Sequence, residues 1–237
     1  MEGHEVRKLA ELEDRHWWYK ERRILLGREL AKFSKAGTAL DIGAAGGGNT
    51  RVLQAHGWKP IAIEYGEEGA QVARDRGLAV MRADARRLPV ADGAVDLVVA
   101  FDVLEHIEED DAAMAEIHRV LRPGGVALIA VPSDMRLWSA HDVAVGHVRR
   151  YTRDTLREVI VGSGFTMETL DSWNVLLRPA AAWRRKKSTG SDLDDVPTLI
   201  NTALSTVIAA ERYLPVQGLP GVSLLTRARK PLTAAAR

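Results

Sequence analysis

Residues 39–50 read ALDIGAAGGGNT, an aspartate at the end of an apolar run followed by four glycines within six positions. Glycines that follow a strand let a backbone approach a ligand closely. A dinucleotide's phosphates call for G-x-G-x-x-G, and a triphosphate calls for a Lys–Ser/Thr pair after the loop. Gly43, Gly46, Gly47 and Gly48 follow neither spacing, and Asn49-Thr50 comes next. Two further carboxylates narrow the chemistry. Glu64 ends an apolar run 21 residues after Gly43, where an acid can accept both hydroxyls of a ribose. Asp84 ends the next run in RADARRLP and can accept from an adenine amino group.

The elements that must position these residues read as a regular alternation. Strand-like runs are TALDIG, KPIAIEYG, LAVMRAD, VDLVVAFD and GGVALIAVP, separated by helical stretches at residues 47–56, 67–76 and 110–121. Strands apolar on both faces that alternate with helices imply a parallel sheet wrapped in helices. The segment TRDTLREVIVGSG predicts a helix, FTMETLDSWNVLL a sixth strand and GVSLLTRARKP a last one. The expected fold is therefore α/β, a doubly wound, Rossmann-like, mostly parallel seven-stranded sheet with an antiparallel last strand. A helical pattern over residues 5–33 precedes the sheet, interrupted by the aromatic and basic HWWYKERR. A helical insertion, VPTLINTALSTVIAAERYL, precedes the last strand, and the polar KKSTGSDLDD ahead of it is expected to be mobile. The division expected is an N-terminal cap over 1–37, a core over 38–175, an insertion or lid over 176–220 and the last strand over 221–231.

Composition excludes several partners. The 237 residues carry a formal net charge of +1, with no extended basic stripe, so neither nucleic acid nor an anionic membrane is called for. The chain has no cysteine, which removes disulfides and thiolate metal sites and suits a reducing cytoplasm, the expected location. No run approaches eighteen apolar residues, so no membrane span is expected.

Taken in order, the glycine loop, Glu64, Asp84, VLEHI and LRPGG resemble a class I S-adenosylmethionine-dependent methyltransferase over roughly residues 38–171. The resemblance implies S-adenosylmethionine as cofactor and S-adenosylhomocysteine as product. It implies that Gly43, Ala45 and Gly47 pass under the methionine portion, that Asp41 orients the loop or contacts the amino group, and that Glu64 holds the ribose beside Tyr65. Asp84 and the Ala85 amide would read the adenine, and Phe101 and Asp102 would line the methionine side. Tyr19 and Arg22 or Arg23, by analogy with segments that fold over the cofactor in related enzymes, would reach the methionine carboxylate. Family members commonly have glycine where this chain has Ala45, and its methyl group is compatible with a negative φ.

The loop after the fifth strand is dense in polar groups: Trp138, His141, Asp142, His147, Arg149, Arg150 and Tyr151. His106, His141 and His147 are the candidate general bases. The bland reading of the H-x-R-R-Y run is that it ties the loop to the next helix. His118 reads as structural. In ubiquinone-pathway and small-RNA methyltransferases a motif similar to Asp102-x-x-Glu105-His106, with a later His, binds a divalent metal. The reading preferred for this chain is no metal. The expected reaction is O- or N-methylation of a small-molecule acceptor walled by residues 133–151 and 178–220, in a monomer or homodimer. The alternatives are a peptide or macromolecular acceptor, a non-catalytic cofactor binder, and a nicotinamide-dependent Rossmann oxidoreductase.

Overall fold

The computed structural model describes residues 7, 10–186 and 196–232. One seven-stranded sheet has the order β3-β2-β1-β4-β5-β7-β6. Its strands are β1 (Thr38–Ile42), β2 (Lys59–Glu64), β3 (Val80–Arg82), β4 (Val95–Phe101), β5 (Leu121–Pro132), β6 (Thr166–Trp173) and β7 (Ser223–Arg229). Strands β1 to β5 are parallel, and β7 runs antiparallel between β5 and β6. The helices are α1 (Trp17–Leu30), α2 (Gly48–Ala55), α3 (Glu67–Asp75), α4 (Asp110–Val120), α5 (Ala140–Val145), α6 (Arg153–Gly162), α7 (Arg178–Arg185) and α8 (Thr198–Glu211). The sheet and its antiparallel last strand are those expected from the alternation of apolar runs.

Strand side chains alternate between faces, so the sheet buries two cores. Leu40, Val98 and Ile129 face Met114 and Ile117 of α4 and Ile160 of α6. Ala39, Leu97 and Leu128 face Leu26 and Leu30 of α1 and Leu53 of α2. The strand order reverses direction between β1 and β4, and this switch point opens a crevice at their carboxyl ends, where such sheets bind ligands. Among the described residues no helix is long and apolar enough to cross a membrane.

Two local readings change, and a third falls outside the described residues. The helix expected over residues 5–33 is broken by a turn at 13–15, and α1 begins after His16, whose side chain accepts from the Trp18 amide. Most of KKSTGSDLDD, residues 187–195, lies outside the described residues. Ala45 has φ +47°, not a negative value. The loop imposes this: Gly43 N donates to Ile63 O (2.8 Å), Gly47 N to Ala44 O (2.7 Å) and Ala45 N to Glu64 Oε2 (2.8 Å). A left-handed alanine costs roughly 1 kcal/mol in Cβ crowding. Ala45→Gly removes the crowding and loosens the unfolded chain, so a net stabilisation of about 0.5–1 kcal/mol is expected. Urea unfolding with an unchanged m-value checks it, and a destabilised Ala45→Gly variant shows that the left-handed geometry is wrong.

Candidate active site

The loop after β1 is shaped as much by protein as by any ligand. A Cβ on Gly47 (φ +82°) would overlap Leu78, and one on Gly48 would overlap Glu13 Oε2. These two glycines therefore make room for side chains of the chain itself. Gly43, Ala44 and Ala45 face the crevice with their backbone. Behind them Asp41 is fully buried, and Thr50 Oγ1 donates to its Oδ2 at 2.5 Å. That bond ties the end of β1 to the first turn of α2 and so orients the loop. Burial pushes the Asp41 carboxyl up to about 7, and its Oδ1 has no partner.

The acids of the adjoining strands stand at the same edge of the sheet. Glu64 accepts from the Ala45 amide and, through Oε1, from the Gly66 amide at 2.9 Å, which leaves lone pairs on both oxygens for further donors. Asp84 is gripped by Arg86, whose Nη2 lies 2.7 Å from Oδ2, and this partner holds it below the usual carboxylate range. Ala85 beside it is buried, and Tyr65 is exposed.

The N-terminal segment closes over this edge. Glu13, 4% exposed, is paired with Arg23, Arg51 and Arg76, and Arg76 also donates to Gly46 O at 2.6 Å. Arg22 on α1 donates to Asp102 Oδ2 at 2.5 Å from among the rings of Trp18, Phe101 and Trp173, and its buried Nη2 is unpartnered. Tyr19 stands beside them, its hydroxyl pushed well above its ordinary range by burial and then by Asp102.

On the far side the three histidines converge. The His106 and His147 rings are 4.7 Å apart and nearly perpendicular, and His141 lies 6.2 Å from His147. His147 Nδ1 donates to Asp142 Oδ1 at 2.8 Å, and His106 Nδ1 donates to Gly146 O at 3.2 Å, which assigns the proton to Nδ1 in both rings. Burial, then the neighbouring His147, pushes His106 down to about 4. Glu105 is fully buried with both oxygens unpartnered, 3.8 Å from His147 Nε2, and burial raises its carboxyl well above the usual range. Glu105, His106 and His147 each offer a ligand atom within 4.8 Å of the others. Asp102 is not in that group, because Arg22 holds it. Arg149 and Tyr151 go to Asp110 instead, at 2.8 and 2.6 Å, so this part of the H-x-R-R-Y run is tied back to the start of α4, which precedes β5, and not to the helix that follows the run.

A cavity of about 370 Å³ joins these parts. Its floor is the loop and the end of β4, its N-terminal wall carries Tyr19, Arg22 and Arg23, and its opposite wall carries His106, His141 and His147. The insertion supplies Leu177, just before α7, Ala181 on α7 and Leu204 on α8 as a roof. Glu64, Tyr65, Asp84 and Ala85 lie outside it, along the rim of β2 and β3. Glu13, Arg76 and Asn174 escaped the reading of the sequence. ELED reads as a solvated helix face, and nothing in residue type marks Asn174 as a left-handed (φ +60°), buried cavity residue.

Residues 40–129 match the family described as a methyltransferase domain. A probable S-adenosylmethionine-dependent methyltransferase of Mycobacterium tuberculosis is 27% identical over 163 residues, which cover 67% of this chain and 59% of that protein. The chain thus spans about three fifths of the length of this curated relative. Among solved structures, a chain of the complex between the Haloferax volcanii Trm112 methyltransferase activator and a methyltransferase superposes with TM-score 0.65 at 22% identity, covering 97% of this chain and 96% of that one. The [4+2]-cyclase SpnF superposes with TM-score 0.62 at 20% identity, covering 91% and 83%. At such identities the two structures speak to the fold alone.

Asp41 gives a test of the loop's anchor. Its carboxyl is raised by the fold, so the stability it contributes is present at low pH and is lost as pH rises through about 7. Asp41→Asn keeps the oxygen that faces Thr50 and removes the charge. Its stability relative to the parent is expected to rise between pH 5 and pH 8 in urea unfolding. A difference that stays constant with pH places the titration elsewhere.

Proposed function

We propose that the chain is a class I S-adenosylmethionine-dependent methyltransferase that transfers a methyl group from S-adenosylmethionine to an oxygen or nitrogen of a small-molecule acceptor, a reading supported by the match of residues 40–129 to a methyltransferase domain. The observation that carries this reading is the continuous cavity that runs from the glycine loop at the switch point to three histidines under a helical roof. The polar groups in and beside it suit a cofactor without phosphate: Asp102 and an unpartnered guanidinium nitrogen of Arg22 within the cavity, and the carboxylates of Glu64 and Asp84 along the adjoining rim. Glu64 would hold the ribose, Asp84 and Ala85 the adenine, and Arg22 with Tyr19 the methionine carboxylate. Arg23 reaches Glu13 and Asp14 and would act through that strap.

When bound, S-adenosylmethionine supplies an electrophilic methyl group. The chain's own residues align the acceptor and exclude water under α7 and α8. His147 Nε2 is the open proton acceptor, since Asp142 fixes its Nδ1. Methyl-label transfer to a fractionated cell extract, with mass spectrometry of the labelled product, tests the activity. S-adenosylhomocysteine, and not NAD, is expected to raise the melting temperature. The double variant Arg22→Ala, Arg23→Ala is expected to weaken S-adenosylhomocysteine at least tenfold, the order expected for losing a charged hydrogen bond. Unchanged affinity in a folded double variant rejects the arginine role.

One observation favours a second reading, in which a divalent cation sits in the same cavity. The unpartnered oxygens of buried Glu105 face two imidazoles whose other nitrogens are already held. On this reading, methyl transfer falls after chelation and returns with added metal; activity that survives chelation in full removes it.

A further inference from the structure

A helix leaves its first amides without partners inside it, so they must be satisfied from outside. At the start of α1 one partner is local: the His16 side chain accepts from the Trp18 amide. The other comes from the insertion. Asn201 Oδ1 accepts from the Trp17 amide at 2.9 Å, across 184 residues of sequence, and Asn201 Nδ2 donates to Arg15 O at 3.0 Å. The roof therefore caps the helix that carries Tyr19, Arg22 and Arg23. Asn201 stands in the first turn of α8, and Leu204, Ile208 and Glu211 follow it at three- and four-residue spacing. Side chains so spaced share one side of a helix. That side faces inward: Leu204 lines the cavity, and Ile208 and Glu211 are buried. At the far end of α8, Glu211 accepts from the Leu176 amide at 2.9 Å, and Arg212 Nε lies 3.0 Å from Glu21 Oε1 of α1.

Lifting the start of α8 takes this side chain from the Trp17 amide and the Arg15 carbonyl together. A lost cap shifts the formation of a helix turn by a factor of about five. The turn at stake holds Trp17, Trp18 and Tyr19, and all three line the cavity. We infer that Asn201 is a positioning residue that makes closure of the roof and formation of the first turn of α1 one event. A ligand seated against Tyr19 and Arg22 then also sets Leu204 over the acceptor, and an acceptor under the roof strengthens that ligand's site in return. The inference rests on the methyltransferase reading for calling that ligand S-adenosylmethionine; the bond between roof and helix does not depend on it.

Amide hydrogen exchange read by NMR tests this on the full chain, alone and with saturating S-adenosylhomocysteine. In the parent, S-adenosylhomocysteine is expected to slow exchange by roughly threefold or more both at residues 17–19 and along residues 204–211. In Asn201→Ala the Trp17 amide of the free protein is expected to exchange about fivefold faster. S-adenosylhomocysteine is then expected to slow residues 17–19 and to leave 204–211 unchanged. Alanine raises the helix propensity of α8, so that loss of response cannot come from a weaker helix. Asn201→Asp keeps an oxygen for the Trp17 amide and is expected to restore the response. The inference is overturned by a parent whose residues 204–211 do not respond, by an Asn201→Ala variant that responds as the parent does, or by an aspartate variant that does not. An unchanged Trp17 amide overturns it too. So does exchange that rises evenly over the whole chain, because Asn201 then serves global stability alone. Failure of S-adenosylhomocysteine to bind the parent removes the methyltransferase reading, and the free proteins then decide. Joint acceleration of residue 17 and residues 204–211 in Asn201→Ala keeps the coupling, and acceleration of residue 17 alone ends it.

Discussion

The arrangement of the cavity depends on one buried carboxylate. Glu13 lies between three guanidiniums drawn from three helical regions: Arg23 on α1, Arg51 on α2 and Arg76 just after α3. A buried acid with several partners adds little net stability against a well-packed apolar substitute, but removing one member of such a group costs about 3–5 kcal/mol. Its importance is geometric. The Glu13 carboxylate occupies the space over Gly48 that any side chain there would fill, and Arg76 bonds Gly46 O from the same cluster. The strap and the glycine loop thus shape each other. A larger residue in the loop would expel the strap, and with it the wall that carries Tyr19, Arg22 and Arg23.

A second constraint appears in the backbone. Among the described residues, four other than glycine have positive φ: Ala45, Asp102, Asp134 and Asn174. They follow the carboxyl ends of β1, β4, β5 and β6 in turn, and these ends share one rim of the sheet because β6 runs in the same sense as β5. Each such conformation costs of order 1 kcal/mol and persists only where surrounding contacts over-determine it. The contacts are identifiable. Ala45 is held by Glu64, Asp102 by Arg22, and Asp134 by Arg178, which also reaches Gly221 O. Left-handed turns at the strand ends aim Phe101, Asp102 and Asn174 at the crevice instead of continuing the pleat.

Much of this was legible in the sequence, and the reasons differ by element. The central strands announce themselves because both faces are buried, so TALDI and VDLVVAF are apolar almost throughout. Glu64 and Asp84 were legible as carboxylates at the ends of apolar runs, and both stand at the carboxyl edge of the sheet, where they also accept from the Ala45 amide and from Arg86. The short β3 was not: LAVMRAD reads as a longer strand, yet only Val80–Arg82 pairs, at the sheet's edge. Glu13 was hidden because its partners lie up to 63 residues away and charged helical residues usually face water. The φ of Ala45 was hidden because alanine gives no sign of a left-handed position. The insertion was legible as a wall or lid, but which of its residues line the cavity was not, because α7 and α8 bury few side chains among the described residues.

The H-x-R-R-Y run shows how one short segment serves structure and site together. Its residues divide between two buried acids. Arg149 and Tyr151 reach Asp110 at the start of α4, while His147 and Arg150 reach Asp142 in α5. Ser139 caps α5 and bonds the same Asp142 through its amide at 2.9 Å, so the acid that orients the imidazole is itself fixed by the helix start. A loop clamped at both ends in this way loses little entropy when a ligand arrives. It also leaves few atoms free to react. With Nδ1 of His147 held by Asp142, and the Arg150 guanidinium spent on Asp142 and the Ser133 carbonyl, the nitrogen of this pair left to the cavity is Nε2 of the imidazole. The chemistry open to that wall is then proton acceptance, and it follows from where a single aspartate is buried.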